Sequence, residues 1–166
     1  MNSRFGASTS FKTALRVKQL LNAINQVAEY YHRLALVVAP SGSGKSAALR
    51  EVADQLPGRY INVSLELSQR LLDLTVQQRA VKASQLLGEI AVASAEQFVL
   101  LDNLELLFDV SLKQDPLRLL QGISRHRIVV ASWNGMVEDG FLTYARPGHP
   151  EYRSYQSLGL TTISLI

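Results

Sequence analysis

The chain has 166 residues, 47% of them hydrophobic and 19% charged, with a formal net charge of +3. That is enough for one domain with a core of its own, and the charge excess is too small to specify nucleic acid or an acidic partner. It contains no cysteine, which excludes disulfides, thiolate metal sites and cysteine nucleophiles. No apolar run approaches the ~20 residues a membrane helix needs, and the N-terminal stretch has no uninterrupted signal-peptide core. A cytoplasmic protein without a membrane partner is the expectation.

Residues 1–10, "MNSRFGASTS", are small and polar and read as a flexible arm, leaving the domain to residues 11–166. Over 11–31, Leu15, Leu20, Leu21, Ile24, Val27, Ala28 and Tyr31 recur at helical spacing, with Ser10 as a candidate N-cap. Arg4, Lys12, Arg16 and Lys18 make a solvated basic face of that helix. The period then changes: "LALVVA" over 34–39 is a short continuous apolar run, the pattern of a strand buried on both faces.

That strand runs into "APSGSGKS", residues 39–46, which matches the phosphate-binding loop except that Ala39 opens it in place of glycine. Such a loop curls so that successive N–H groups point inward at phosphate oxygens. Gly42 and Gly44 permit the curl, and Pro40, Ser41, Ser43 and Ala47 complete the wall. Lys45 reaches the terminal phosphates, Ser46 offers a hydroxyl to Mg²⁺, and the following helix presents its positive end. Ala39 ends the strand and removes no phosphate-contacting group. A strand before and a helix after set this stretch apart from an ordinary Gly/Ser turn.

A helix over 47–56 stops at Pro57-Gly58, and 59–67 reads as a second strand. A helix follows over 76–94. "QFVLLDNLELLF", 97–108, opens as a third buried strand and turns acidic at Asp102, the natural second holder of Mg²⁺ opposite Ser46. Many ATP hydrolases place a glutamate next. Here the residue is Asn103, which can orient a water but cannot take its proton. Glu105 is the nearest carboxylate that could, if the chain has already turned.

Asp115 and Pro116 look like the N-cap and first position of a helix reaching 124. "RIVVAS", 127–132, is a fourth strand whose end, "ASWNG", brings Asn134 first and Ser132 second as groups for the γ-phosphate or its attacking water. Arg125, His126 and Arg127 precede that strand and suit a helix C-terminus instead. Residues 135–145 read as a short helix. In the segment beyond, Arg146 or Arg153 could act on a neighbouring subunit's nucleotide. Interleaved Tyr144, His149, Tyr152 and Tyr155 also suit stacking on single-stranded nucleic acid, so DNA contact is a candidate. A fifth strand spans 160–166.

Apolar strands alternating with helices imply an α/β domain with a parallel sheet and helices on both faces. Ligands then sit beyond the carboxyl ends of the strands, where the motifs cluster.

Together "APSGSGKS", "FVLLDN" and "RIVVASWNG" resemble P-loop ATPases of the additional-strand, AAA+-like type. Within them, the chain length, "LLDNLELLF" and "YARPGHPEY" are similar to the BrxF family of small P-loop proteins in type III BREX bacteriophage-exclusion systems. The resemblance spans nearly the whole chain. It implies a P-loop NTPase domain with a five-stranded sheet in the order 5-1-4-3-2, ATP and Mg²⁺ as ligands, and a role in antiviral defence beside other BREX proteins. Two departures bear on turnover: Asn103 replaces the glutamate, and no helical lid is expected after the fifth strand. Closure of the pocket is then expected from a second copy or a partner. The leading expectation is ATP binding with slow or partner-dependent hydrolysis. A nucleotide-gated interaction subunit without turnover is the alternative. A small-molecule kinase ranks last, because ahead of the basic turn at Arg125 the connection between strands three and four carries only Lys113 and Arg118 and no arginine-bearing lid.

Overall fold

The computed structural model describes residues 3–93 and 95–165, the first eight of them as backbone alone. The described residues form five helices and seven strands: α1 (Ser3–Val27), β1 (Leu34–Ala39), α2 (Lys45–Gln55), β2 (Gly58–Asn62), α3 (Val63–Leu71), α4 (Val76–Val92), β3 (Phe98–Asp102), α5 (Pro116–Ser124), β4 (Ile128–Glu138), β5 (Phe141–Tyr144), β6 (Arg153–Gln156) and β7 (Thr161–Ile163). Two 3₁₀ turns, Glu105–Phe108 and Val110–Leu112, link β3 to α5.

The α/β class and the mostly parallel sheet are as expected. The five-stranded sheet is not: the sheet has seven strands. Its parallel path runs β2-β3-β4-β1-β7, and β5 and β6 extend from β4 by antiparallel pairing. β4 is 11 residues long and belongs to both parts. Along each central strand alternate residues serve opposite faces, as the two-residue period of a strand requires. Leu34, Leu36 and Val38 of β1 join Val99 and Leu101 of β3 in a core beneath α3, α4 and α5. Ala35 and Val37 join Phe98, Leu100 and Val130 in a second core, covered by Leu20, Ile24 and Val27 of α1 and Leu49 and Val52 of α2.

Three further expectations are corrected. The first helix begins at Ser3, inside the segment read as an arm, so no cap stands at Ser10, and it ends at Val27 short of residue 31. The arm's Met1 and Asn2, and the far ends of the helix over 76–94 and the strand over 160–166 at Ser94 and Ile166, lie outside the described residues. The second strand stops at Asn62, whose side chain accepts the Leu65 N–H and caps α3. Residues 135–145 are not a helix but the end of β4, a two-residue turn and β5. Asp139 and Gly140 both take positive φ, 52° and 81°, as the turn that matches strand twist demands. The start of α5 is as expected, with Asp115 accepting the Arg118 N–H and Pro116 in the first turn.

Candidate functional site

The carboxyl ends of β1 and β3, and the point at Asn134 where β4 leaves the parallel sheet, converge on one open pocket. It is lined by Ser41, Gly42, Gly44, Lys45, Ser46, Ala47, Arg50, Asp102, Asn103, Glu105 and Asn134. β1 delivers the loop at residues 40–44, where Gly42 and Gly44 take φ of 78° and 91°, values that glycine adopts without steric cost. Gly44 also stands at the N-cap of α2, which has no side-chain cap. The first amides of α2 therefore face the pocket as unclaimed donors, with the positive end of the helix dipole behind them.

Lys45 is 5% exposed. Its Nζ donates to the carbonyls of Ala39 at 2.8 Å and Pro40 at 2.7 Å, and to Ser43 Oγ at 3.3 Å. Ser43 in turn donates to Pro40 O at 2.7 Å. Pro40 and Ser43 thus act here as the ammonium's seat. Burial lowers the Lys45 pKa from its ordinary value, and the charges of Asp102 and Glu105 oppose that shift.

Asp102 closes β3 and is 2% exposed. Its carboxylate accepts from Ser132 Oγ at 2.6 Å and Tyr60 Oη at 2.6 Å. Ser46 and the Asn103 amide also favour its charged form. Burial pushes its pKa up, but these donors outweigh burial and hold the group below its ordinary carboxylate value. Ser46 and Asp102, expected as partners on one cation, line the same pocket. Ser132 touches Asp102 rather than facing the open pocket.

After Asp102 the chain turns sharply. Asn103 is left-handed, with φ 53°, and its carbonyl accepts both the amide of Ser64, at 3.0 Å, and the Ser64 hydroxyl. The same hydroxyl accepts the Leu106 N–H at 3.1 Å. Buried Leu104, Leu107 and Phe108 pin the turn from below, and Glu105 is left pointing outward. Asn134 Nδ2 donates to Glu105 Oε1 at 2.6 Å. The two candidates from β3 and β4 are therefore brought together at the mouth.

Arg146 and Arg153 are not brought there. Arg146 lines a separate groove with Met136, Phe141 and Tyr152 on the β4–β5–β6 extension. Arg153 Nη2 donates to Gln114 O at 2.9 Å and ties β6 to the segment before α5. Of the aromatic residues considered for stacking, two are committed elsewhere. Tyr144 stacks on Phe108 with centroids 3.4 Å apart, and burial pushes its hydroxyl up to about 12. Tyr155 Oη donates to Asp115 at 3.0 Å.

Three site residues carry no sequence motif. Arg50 follows Ser46 by four residues on α2, a spacing that puts both on one helix face and could have revealed it. Its guanidinium lies 5.0 Å from the Tyr60 ring centre. Tyr60 and Ser64 reach the site from β2 and α3, and nothing local in the sequence marks them.

The donor set fits a magnesium nucleotide. Mg²⁺ is ordinarily held by one or two carboxylates plus phosphate oxygens rather than by an all-protein cage. One buried carboxylate and one hydroxyl stand beside the uncapped amides of α2. Among the described residues no cluster of three or more His, Asp or Glu side chains could hold a metal alone. No family model, curated protein or solved structure matches the chain.

Proposed function

We propose that the chain is an ATP-binding P-loop module that hydrolyses ATP. The observation that carries this reading is that Lys45, Ser46 and Asp102 line one pocket at the end of the glycine-rich loop, with Glu105 and Asn134 joined at the same mouth. The first amides of α2 and the Lys45 ammonium bind the β- and γ-phosphates. Ser46 and Asp102 hold Mg²⁺, which supplies charge neutralisation at the phosphates when bound. Glu105 takes a proton from water as the water oxygen bonds the γ-phosphorus. The bond to the β–γ bridging oxygen breaks, and ADP and phosphate leave. Asn134 orients the Glu105 carboxylate.

Binding of ATP to wild type and to Lys45→Ala, followed by calorimetry, tests the first half. A charge-assisted hydrogen bond is worth ~1.5–3 kcal/mol, so the variant should bind roughly tenfold to a hundredfold more weakly. Equal affinities would sink the nucleotide reading.

A second reading is a nucleotide-gated interaction subunit without turnover. It is favoured by the 2.6 Å bond that occupies Glu105 and by Asn103, which cannot accept a proton. Phosphate release separates the two: sustained release by wild type that Glu105→Gln lowers strongly, to a residual rate, supports hydrolysis. A setting in BREX antiviral defence rests on the sequence resemblance, as do a second copy or other BREX proteins as partners; a cytoplasmic location rests on the apolar patterning of the sequence. An arginine acting in trans, Arg146 before Arg153, and DNA contact through His149 and Tyr152 rest on composition. No helix among the described residues is long and apolar enough to cross a membrane. Solution mass with and without ATP tests the assembly, an unchanged monomer counting against it.

A further inference from the structure

We infer that Ser64 is a positioning residue for hydrolysis, setting Glu105 by stapling the turn that follows β3. The inference rests on the hydrolase reading above. Between Asp102, which faces the cation site, and Glu105, which faces the attacking water, the chain has only two residues in which to change direction. It does so through the left-handed backbone at Asn103, a conformation disfavoured for a residue with a side chain unless its surroundings hold it.

What holds it comes from another element. Ser64 sits in the first turn of α3, on the far side of the parallel β2–β3 pair. Its backbone N–H and its hydroxyl both donate to the Asn103 carbonyl, and its hydroxyl oxygen accepts the Leu106 N–H. One side chain therefore fixes the residue before and the residue after the Leu104–Glu105 pair. Asn134 then meets Glu105 from the opposite side. The carboxylate is gripped through its own backbone by Ser64 and at its tip by Asn134.

Removing the hydroxyl strands the Leu106 N–H and leaves the Asn103 carbonyl with one donor. The phosphate loop, Ser46 and Asp102 are not bonded to Ser64, so nucleotide affinity should survive. A misplacement near 1 Å can cost roughly a hundredfold in rate, so kcat should fall by at least about tenfold with KM for ATP unchanged.

The test compares Ser64→Thr with Ser64→Val, which share a shape and differ in the hydroxyl, alongside Ser64→Ala and each change on Glu105→Gln. Expected are near wild-type turnover for the threonine variant and a lowered kcat at constant KM for the valine and alanine variants. On Glu105→Gln no further loss is expected, because Ser64 acts through Glu105. Equal turnover of the threonine and valine variants would overturn the inference, as would a full additional loss on Glu105→Gln. Wild type that binds ATP but releases no phosphate would remove the hydrolase reading and this inference with it. Wild type that hydrolyses while the Ser64 variants match it would remove this inference alone. Should the alanine variant not fold, the threonine–valine pair still decides.

Discussion

Position 103 answers to the backbone before it answers to chemistry. An asparagine after Asp102 reads in the sequence as a lost glutamate, yet its φ of 53° is a region where Asn is enriched and most residues are strained. A glutamate there would meet that strain without reaching the position that Glu105 occupies at the mouth. Asn103→Glu should therefore lower stability by about 1–2 kcal/mol and leave phosphate release no faster than wild type, as denaturation and turnover measured on one preparation would show. Faster release would mean that residue 103, not Glu105, faces the water. Asp102 makes a second prediction at this scale. Its hydroxyl and amide donors hold its folded pKa below the ordinary 3.8, so the unfolded chain takes up this proton first as pH falls. The stability Asp102 contributes is thus complete above about pH 4 and is lost as pH drops through its folded value. Asp102→Asn should flatten the loss of stability below about pH 4 in acid titrations followed by circular dichroism.

At the scale of elements, the β4–β5–β6 extension shows why some of the chain was legible and some was not. Asp139-Gly140 is a two-residue hairpin signal, but Val137, Phe141 and Tyr144 also fall at helical spacing over 135–145, and the turn chemistry was the better guide. The boundary at Asn62 failed for the opposite reason. Ile61, Val63, Leu65 and Leu67 alternate as in a strand, while Val63, Leu67 and Leu71 repeat every four as in a helix. Leu65 is 54% exposed whereas Val63, Leu67 and Leu71 are buried, so tertiary burial chose the helix. The glycine-rich loop before α2 was legible because its demands are local: glycine dihedrals, a lysine and a hydroxyl within eight residues. Ser64, Tyr60 and the Glu105–Asn134 contact were not, because each joins separate strands or helices. Gly135 ties the extension to the site. A Cβ there would lie 1.8 Å from Thr143 O, the acceptor of the Trp133 indole N–H at 3.0 Å. Gly135→Ala should cost about 1–3 kcal/mol as overpacking and alter Trp133 emission, because it pushes apart the strand pair that holds the indole. An unchanged spectrum and melting point would show that β5 gives way freely.

For the whole molecule, the question is whether the two cores act as one. Trp133, the single tryptophan, is buried in the core beneath α3, α4 and α5, against Phe108 at 5.2 Å and Tyr155 at 5.9 Å. Leu20 of α1 is fully buried in the core on the other face. Only the central strands join them, since β1, β3 and β4 send alternate residues to each side. If the sheet couples the faces, Leu20→Ala leaves a cavity on one side and destabilises the other by the same amount, ~2–5 kcal/mol for a buried leucine. Urea denaturation followed by Trp133 fluorescence and by far-ultraviolet circular dichroism should then give coincident transitions, both moved to lower urea. The competing outcome has a distinct signature. Were α1 an independently melting cover, the variant would lose helical signal in an early step while the Trp133 midpoint stayed at its wild-type value. That result would place α1 outside the cooperative unit, and the Ser64 staple and Glu105 would then belong to a domain that holds its site without it.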